Sequence, residues 1–409
     1  MKRVSHSRAI GALLRLLRGT ESIEDLILKG CKEIETRFSF GSCLRNGVPR
    51  AQAFAREGST ASLSTSALGL LCILVAATLV SCSGRRQSEP SLRIGYLPNI
   101  THSQALVGLA KGEFQKALGS VILVPKLFPS GPSAIEALLA GDIDLTYVGP
   151  APAINAYVRT EGRALRVIAG AASGGAVFVR RAGVSLDRKE DFPGKRFASP
   201  QIGNTQDLSL RAYLAEMGCF PKEKGGTVEV LPLANADILT LFLRKELDAA
   251  WVAEPWGALL VHRGGGVIQV DERDLWPERR FSTALVVAST KALAERPEWV
   301  RKFLAAHVAL TRWILHNREE TLKLVNQEIA KINRQPLAEK VLTEASSRFE
   351  ATFDPLPDSL DVFFQRARAV GYLRKGTLEG MVDLRLLKEV QAGVSREAPN
   401  RATRPGVTR

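Results

Sequence analysis

Cysteine is scarce in this 409-residue chain: there are five, and four of them (Cys31, Cys43, Cys72 and Cys82) fall within the first 82 positions. Cys219 stands alone in the rest, so no disulfide can form inside that part and a paired Cys-His metal set is excluded. Cys219 lies in Tyr213-Leu-Ala-Glu-Met-Gly-Cys-Phe-Pro221, a helix end, and reads as a packing residue. A Gly-x-Ser-x-Gly elbow, a Walker loop, Cys-x-x-Cys and His-Glu-x-x-His are all missing. Nucleophilic and metal-assisted catalysis therefore have no motif to rest on. No internal repeat is visible. No apolar run reaches the roughly 20 residues that a membrane-spanning helix needs.

Charge of one sign is also lacking where it would matter. The whole chain carries +14, which invites a nucleic-acid reading. Residues 1–60 hold +5, residues 83–90 hold +1 and residues 391–409 hold +3, leaving about +5 for residues 91–390. A body that mildly basic suits an anionic ligand and offers no stripe for nucleic acid.

The longest apolar stretch is Ala67–Val80, fourteen uncharged residues closed by Ser81-Cys82. That length suits the h-region of a signal peptide, with Arg50 and Arg56 as a sparse basic lead. Leu79-Val80-Ser81-Cys82 resembles a bacterial lipobox, in which the cysteine thiol is lipidated and becomes the mature N-terminus. Residues 1–81 are then expected to be removed, with 1–59 reading as a start assigned too far upstream. Residues 82–90 become a linker to the lipid anchor. Ordinary secretion cleavage and a buried core segment are the other readings of the run.

Between residues 91 and 390, strand-like and helical stretches alternate. Leu92–Tyr96, Val121–Leu127, Ile143–Val148 and Leu165–Gly170 read as strands, each followed by a helical stretch or a turn. This spacing predicts α/β architecture with a largely parallel sheet covered on both faces. Ala176–Arg180, Phe192–Ala198, Thr227–Leu231 and Ala249–Val252 open a second set, and Thr283–Ala288 returns as an apolar strand before a helical C-terminal part. The order predicts lobe I from about 91–177 and 283–388, and lobe II from 178–282, joined by two crossings. A cleft between two such lobes is a usual ligand site. The tail 391–409 has no apolar periodicity and is expected to be disordered.

Several phrases in this order carry a family resemblance. They are Ile94-Gly-Tyr-Leu-Pro-Asn-Ile-Thr-His102, Pro129-Ser-Gly-Pro-Ser133, Glu136–Asp144, Tyr147-Val-Gly-Pro-Ala-Pro152, Gly194-Lys-Arg196, Gln201-Ile-Gly-Asn-Thr-Gln-Asp207 and Ala253-Glu-Pro-Trp256. Over about residues 91–370 the chain resembles the solute-binding proteins of ABC importers, in the nitrate/sulfonate/taurine group. The resemblance implies the two-lobed type II periplasmic-binding-protein fold, a small anionic ligand, an ABC permease as partner, a monomer, and a place in the periplasm or at the cell surface. It implies no cofactor and no catalysis. A thiamin-pyrimidine-synthesis-like or menaquinone-synthesis-like enzyme on the same fold is the alternative; there His102 would be a candidate catalytic residue. A binding protein that feeds a sensor is a third reading.

The residues agree with an anion site. Ligands of parallel α/β sheets sit beyond the carboxyl ends of strands, where helix N-termini present free N–H groups. Asn99, Thr101 and His102 occupy one such turn, Ser130 and Gly131 a second, and Asn204 and Thr205 a third in the other lobe. Asn99, Thr101, Asn204 and Thr205, with Ser133, are equally plain helix caps, and His102 is equally a structural hydrogen-bonder. Gly149 lets backbone approach a ligand or makes a simple turn. Ser173 and Gly174 offer donors at the lobe crossing, or absorb hinge rotation with Gly175. Glu254 accepts from a ligand amino group or from a lobe-closing partner. Trp256 covers an organic tail or packs in the core. No carboxylate or second histidine stands at metal-ligand spacing from His102, and Arg188, Lys189, Lys195 and Arg196 read as a solvated face or a permease contact.

Overall fold

The computed structural model describes residues 89–397. Cys82, the apolar run before it and most of the expected linker lie outside the described residues, as do 398–409.

The chain builds two sheets. The first begins with β1 (Ser91–Tyr96), whose Leu92 and Ile94 alternate into the core as a strand pattern requires. A short 3-10 turn, Ile100–His102, leads into α1 (Ser103–Ala110), and α2 (Glu113–Leu118) follows. Then come β2 (Ile122–Leu127), α3 (Gly131–Ala140), β3 (Leu145–Val148), α4 (Pro150–Arg159) and β4 (Leu165–Gly174). The second sheet holds β5 (Ala176–Arg181), β6 (Arg196–Ser199), α5 (Thr205–Glu216), β7 (Glu229–Pro232), α6 (Asn235–Leu243), β8 (Ala249–Ala253), α7 (Trp256–Gly264) and β9 (Gly266–Asp271). The chain returns to the first sheet through β10 (Ser282–Ser289). It then runs through α8 (Thr290–Glu295), α9 (Pro297–His316), α10 (Arg318–Asn333), α11 (Glu339–Ser347), β11 (Phe349–Ala351), α12 (Pro357–Ala369) and α13 (Arg385–Glu397).

Strand order is β2-β1-β3-β10-β4-β11 in the first sheet and β7-β6-β8-β5-β9 in the second. The largely parallel expectation is corrected: both sheets are mixed. β1 runs parallel to β2 and β3, and β6 parallel to β7 and β8, but β10 is antiparallel to β3 and β4, and β5 to β8 and β9. The cause is the double crossing. β1, β3 and β8 end where the two sheets face each other, whereas β5 and β10 start there and run away.

Each sheet has its own aromatic core. In the second, Phe178 stacks on Trp251 at 5.3 Å and meets Phe197 edge-on at 5.4 Å. In the first, Val300, Phe303, Leu304, Val308 and Ile314 of α9 recur at helical spacing, and Phe303 stacks on Phe114 at 4.7 Å. The expectation of an unstructured tail from 391 is corrected for its first residues. Leu387 and Val390 are buried, and α13 continues from that anchored turn to Glu397. Among the described residues, no helix is long and apolar enough to cross a membrane, and no group of three His, Cys, Asp or Glu could hold a metal ion.

Candidate ligand-binding site

Five strand-to-helix turns point at one place between the sheets. Asn99 opens the 3-10 turn before α1, Ser130 caps α3 and Gly149 precedes α4. From the second sheet, Asn204 caps α5 and Asn235 is the first residue of α6. The unpaired amides of a helix's first turn give its N-terminus roughly half a positive charge. The turns enclose a cavity of about 20 Å³. Leu97, Asn99, Thr101, His102, Pro129, Gly131, Gly149 and Thr283 line it from the first sheet; Pro200, Asn204, Thr205, Gln206, Asn235 and Ala253 line it from the second. None of these is charged. The volume is about that of one water.

The two sides meet directly. The Ala151 amide donates to Thr205 Oγ1 at 3.3 Å, and Ser130 Oγ donates to Gln201 Oε1. Gly149 and Gly131 are tight: a Cβ on Gly149 would lie 2.3 Å from Thr205 Oγ1, and one on Gly131 2.8 Å from the Pro152 ring. Beside the cavity, and sharing Pro129, Pro200 and Asn235 with it, lies a more apolar recess of about 520 Å³ that includes Ile202, Pro232 and Leu233.

His102 is buried, and its Nδ1 accepts a hydrogen bond from the Leu97 amide at 3.1 Å. Burial lowers its pKa to about 3, so the ring is neutral and its proton sits on Nε2. That N–H has no partner among the described residues and is a donor at the cavity wall. Tyr147, whose ring centre is 6.1 Å from His102, supports it from below and is itself hydrogen-bonded to His307 Nδ1 at 2.9 Å. His307 Nε2 pairs with the Gly170 carbonyl at 2.9 Å, and burial lowers its pKa to about 4.

Asn99, Thr101 and Gln206 are buried side chains that line the cavity without a hydrogen bond to any described residue. Capping is real at Asn204, whose Oδ1 accepts from the Thr205 amide at 2.8 Å, which leaves its Nδ2 free. It is weaker at Ser130, 3.4 Å from the Ser133 amide, and Asn99 makes no side-chain cap.

Other candidates stand elsewhere. Ser173 and Gly174 belong to the end of β4, which runs four residues beyond the expected Gly170. Ser173 Oγ accepts from the Phe281 amide at 3.3 Å, and the Gly174 carbonyl accepts from Thr283 Oγ1, so both serve the crossing between the sheets. Glu254 is fully buried and is not among the residues that line the cavity; Oε1 pairs with Arg348 Nη1 at 2.7 Å and Oε2 accepts from the Ala258 amide at 2.9 Å. Burial pushes its carboxyl above the usual range, opposed by those two partners. Of its two sequence readings the structure shows the protein partner. Trp256 packs, half-buried, on the core.

Gln206, Asn235 and Thr283 were not among the expected site residues. Gln206 directly follows the expected pair, and Asn235 is a short polar residue opening a helix after a strand, the same signal as Asn204. Thr283 gives no signal in sequence, because only the return of β10 brings it here.

A family model described as the NMT1-like family matches residues 85–330. A putative binding protein of Brucella abortus (strain 2308) is 24% identical over 295 residues, which are 72% of this chain and 84% of that protein. The taurine-binding periplasmic protein of Escherichia coli (strain K12) is 27% identical over 221 residues, 54% of this chain and 65% of that protein. The periplasmic nitrate-binding protein NrtA of Synechocystis PCC 6803 shares the fold with a TM-score of 0.61, at 14% identity, over 75% of this chain and 89% of that one.

Proposed function

The chain belongs to the NMT1-like family, and on that premise we propose that it is the extracytoplasmic solute-binding component of an ABC importer. It captures a small oxyanion, such as an aliphatic sulfonate, taurine or nitrate, by closing two lobes on it. Residues 91–177 with 283–388 form one closing body and 178–282 the other. Cys82 carries the lipid that holds the protein at the membrane, and an ABC permease receives the solute from the monomer.

The observation that supports this reading best is the convergence of five helix starts and uncharged donors on one cavity. Fixed N–H dipoles favour negative charge without a counter-ion. The His102 Nε2–H, the Thr101 hydroxyl and the Asn204 amide add donors from both sides. Hydrogen bonds to a charged group contribute about 1.5–3 kcal/mol each. With no lysine or arginine in the lining, the site suits a singly charged head better than a dianion, whose desolvation needs fuller compensation. A thermal-shift screen over aliphatic sulfonates, taurine, nitrate, bicarbonate, phosphonates and pyrimidines tests the reading. A solute held at 100 times its dissociation constant stabilises the fold by about 2.7 kcal/mol. A shift with pyrimidines alone would favour the thiamin-pyrimidine type of enzyme instead.

A further inference from the structure

Asp207, the third residue of α5, is completely buried and accepts four hydrogen bonds. Three come from its own side of the cleft: Ser199 Oγ and Arg211 Nε reach Oδ1, and the Gly203 amide reaches Oδ2, each at 2.9 Å. They tie together the segment 199–207, which carries Pro200, Asn204, Thr205 and Gln206 into the cavity. The fourth donor comes from the other side. Tyr372, in the turn after α12, gives its hydroxyl to Oδ2, the oxygen that also holds the Gly203 amide. Its ring lies against the Arg211 guanidinium, 5.9 Å from ring centre to guanidinium carbon.

The carboxylate is thus held on its own side by three donors, one of them a cation. Among the described residues, the tyrosine adds the one hydrogen bond from this carboxylate to the opposite side. It does so one residue beyond Thr205 and Gln206, which line the site. We propose that Tyr372 is a positioning residue for solute capture. Closure delivers its hydroxyl to Asp207, and Asp207 then holds the Gly203–Gln206 turn in its anion-binding shape. This inference rests on the two-lobe capture reading given above. It explains why a polar contact joins the lobes outside the cavity, at a residue that never touches the solute.

The test is Tyr372→Phe, which keeps the ring over Arg211 and removes only the hydroxyl. Hydrogen exchange across residues 199–208 is compared with the unaltered protein, with and without butanesulfonate, and butanesulfonate, taurine and nitrate are titrated calorimetrically. The proposal expects faster exchange in 199–208, affinity about 10-fold weaker or more for the probe that binds, and a ligand-free melting temperature close to the original. Unchanged exchange under both conditions overturns it. Faster exchange with unchanged affinity reduces Tyr372 to a surface contact and overturns it equally. If the unaltered protein binds none of the three probes, the oxyanion reading fails, and the exchange arm alone decides whether Tyr372 orders the turn.

Discussion

The Leu97 amide donates to Nδ1 of His102 at 3.1 Å, and this one bond sets what the imidazole can do. It fixes the proton on Nε2, at the cavity wall, in a ring too buried to carry charge. His102→Ala is expected to raise the dissociation constant of a bound oxyanion roughly 10- to 100-fold, the loss of one hydrogen bond to a charged group. Calorimetric titration checks it.

The same burial predicts an acid limit. The folded-state pKa values of His102 and His307, about 3 and about 4, lie below their ordinary 6.5. Their contribution to stability is therefore complete above pH 6.5. It falls as pH drops through the window from 6.5 towards 3, because the unfolded chain takes up protons there first. Melting curves between pH 7.5 and about pH 4 should show a progressive loss, on the order of several kcal/mol for the pair. His307→Asn should flatten the curve; an equally steep curve would place the acid sensitivity elsewhere.

Gly149 tests closure without touching a donor. Its φ of −69° and ψ of 159° suit alanine, so backbone strain is not at issue. The new methyl would stand 2.3 Å from Thr205 Oγ1 on the opposite side. Gly149→Ala should weaken solute binding at least 10-fold while leaving the ligand-free melting temperature nearly unchanged. Normal affinity in this variant would mean that capture does not need the two sides to meet at Thr205.

Arg348 and Glu254 form a buried pair at 2.7 Å, close to where the chain crosses between sheets. Removing the cation leaves a carboxylate at 0% exposure without its partner. Arg348→Ala should destabilise the fold by about 3–5 kcal/mol in denaturant titration. Arg348→Ala with Glu254→Gln should recover part of that loss.

Cys82→Ser addresses the membrane end. Expressed in a bacterial host, it should abolish labelling by a lipid precursor and release the protein from membranes. Labelling that survives the change would end the lipid-anchor proposal.

Local signals in the sequence placed most of this architecture. The strand at Leu92–Tyr96 and the turn after each early strand stand where the sequence put them, Asn99 and Asn204 line the cavity, and Ser130 lines the recess beside it. The helices α3 and α5 begin at Gly131 and Thr205, directly after Ser130 and Asn204, which cap them. What was not legible depends on pairing across long separations. The antiparallel return of β10 follows from where the crossing starts, not from any local pattern, and it alone brings Thr283 to the cavity. β11 is three residues long and exists only as a partner of β4. For Glu254 a ligand amino group and a lobe-closing partner both stayed open, because nothing near it in sequence announces Arg348, 94 positions on.

The central claim is that two lobes close on a small, singly charged oxyanion held by neutral donors. Isothermal titration of the unaltered protein with butanesulfonate, taurine and nitrate, beside sulfate, a phosphonate and a pyrimidine, tests it most directly. The account predicts saturable one-to-one binding of at least one of the first three and weak or no binding of the dianions. Heat from the pyrimidine alone, or from none of the six, would contradict it.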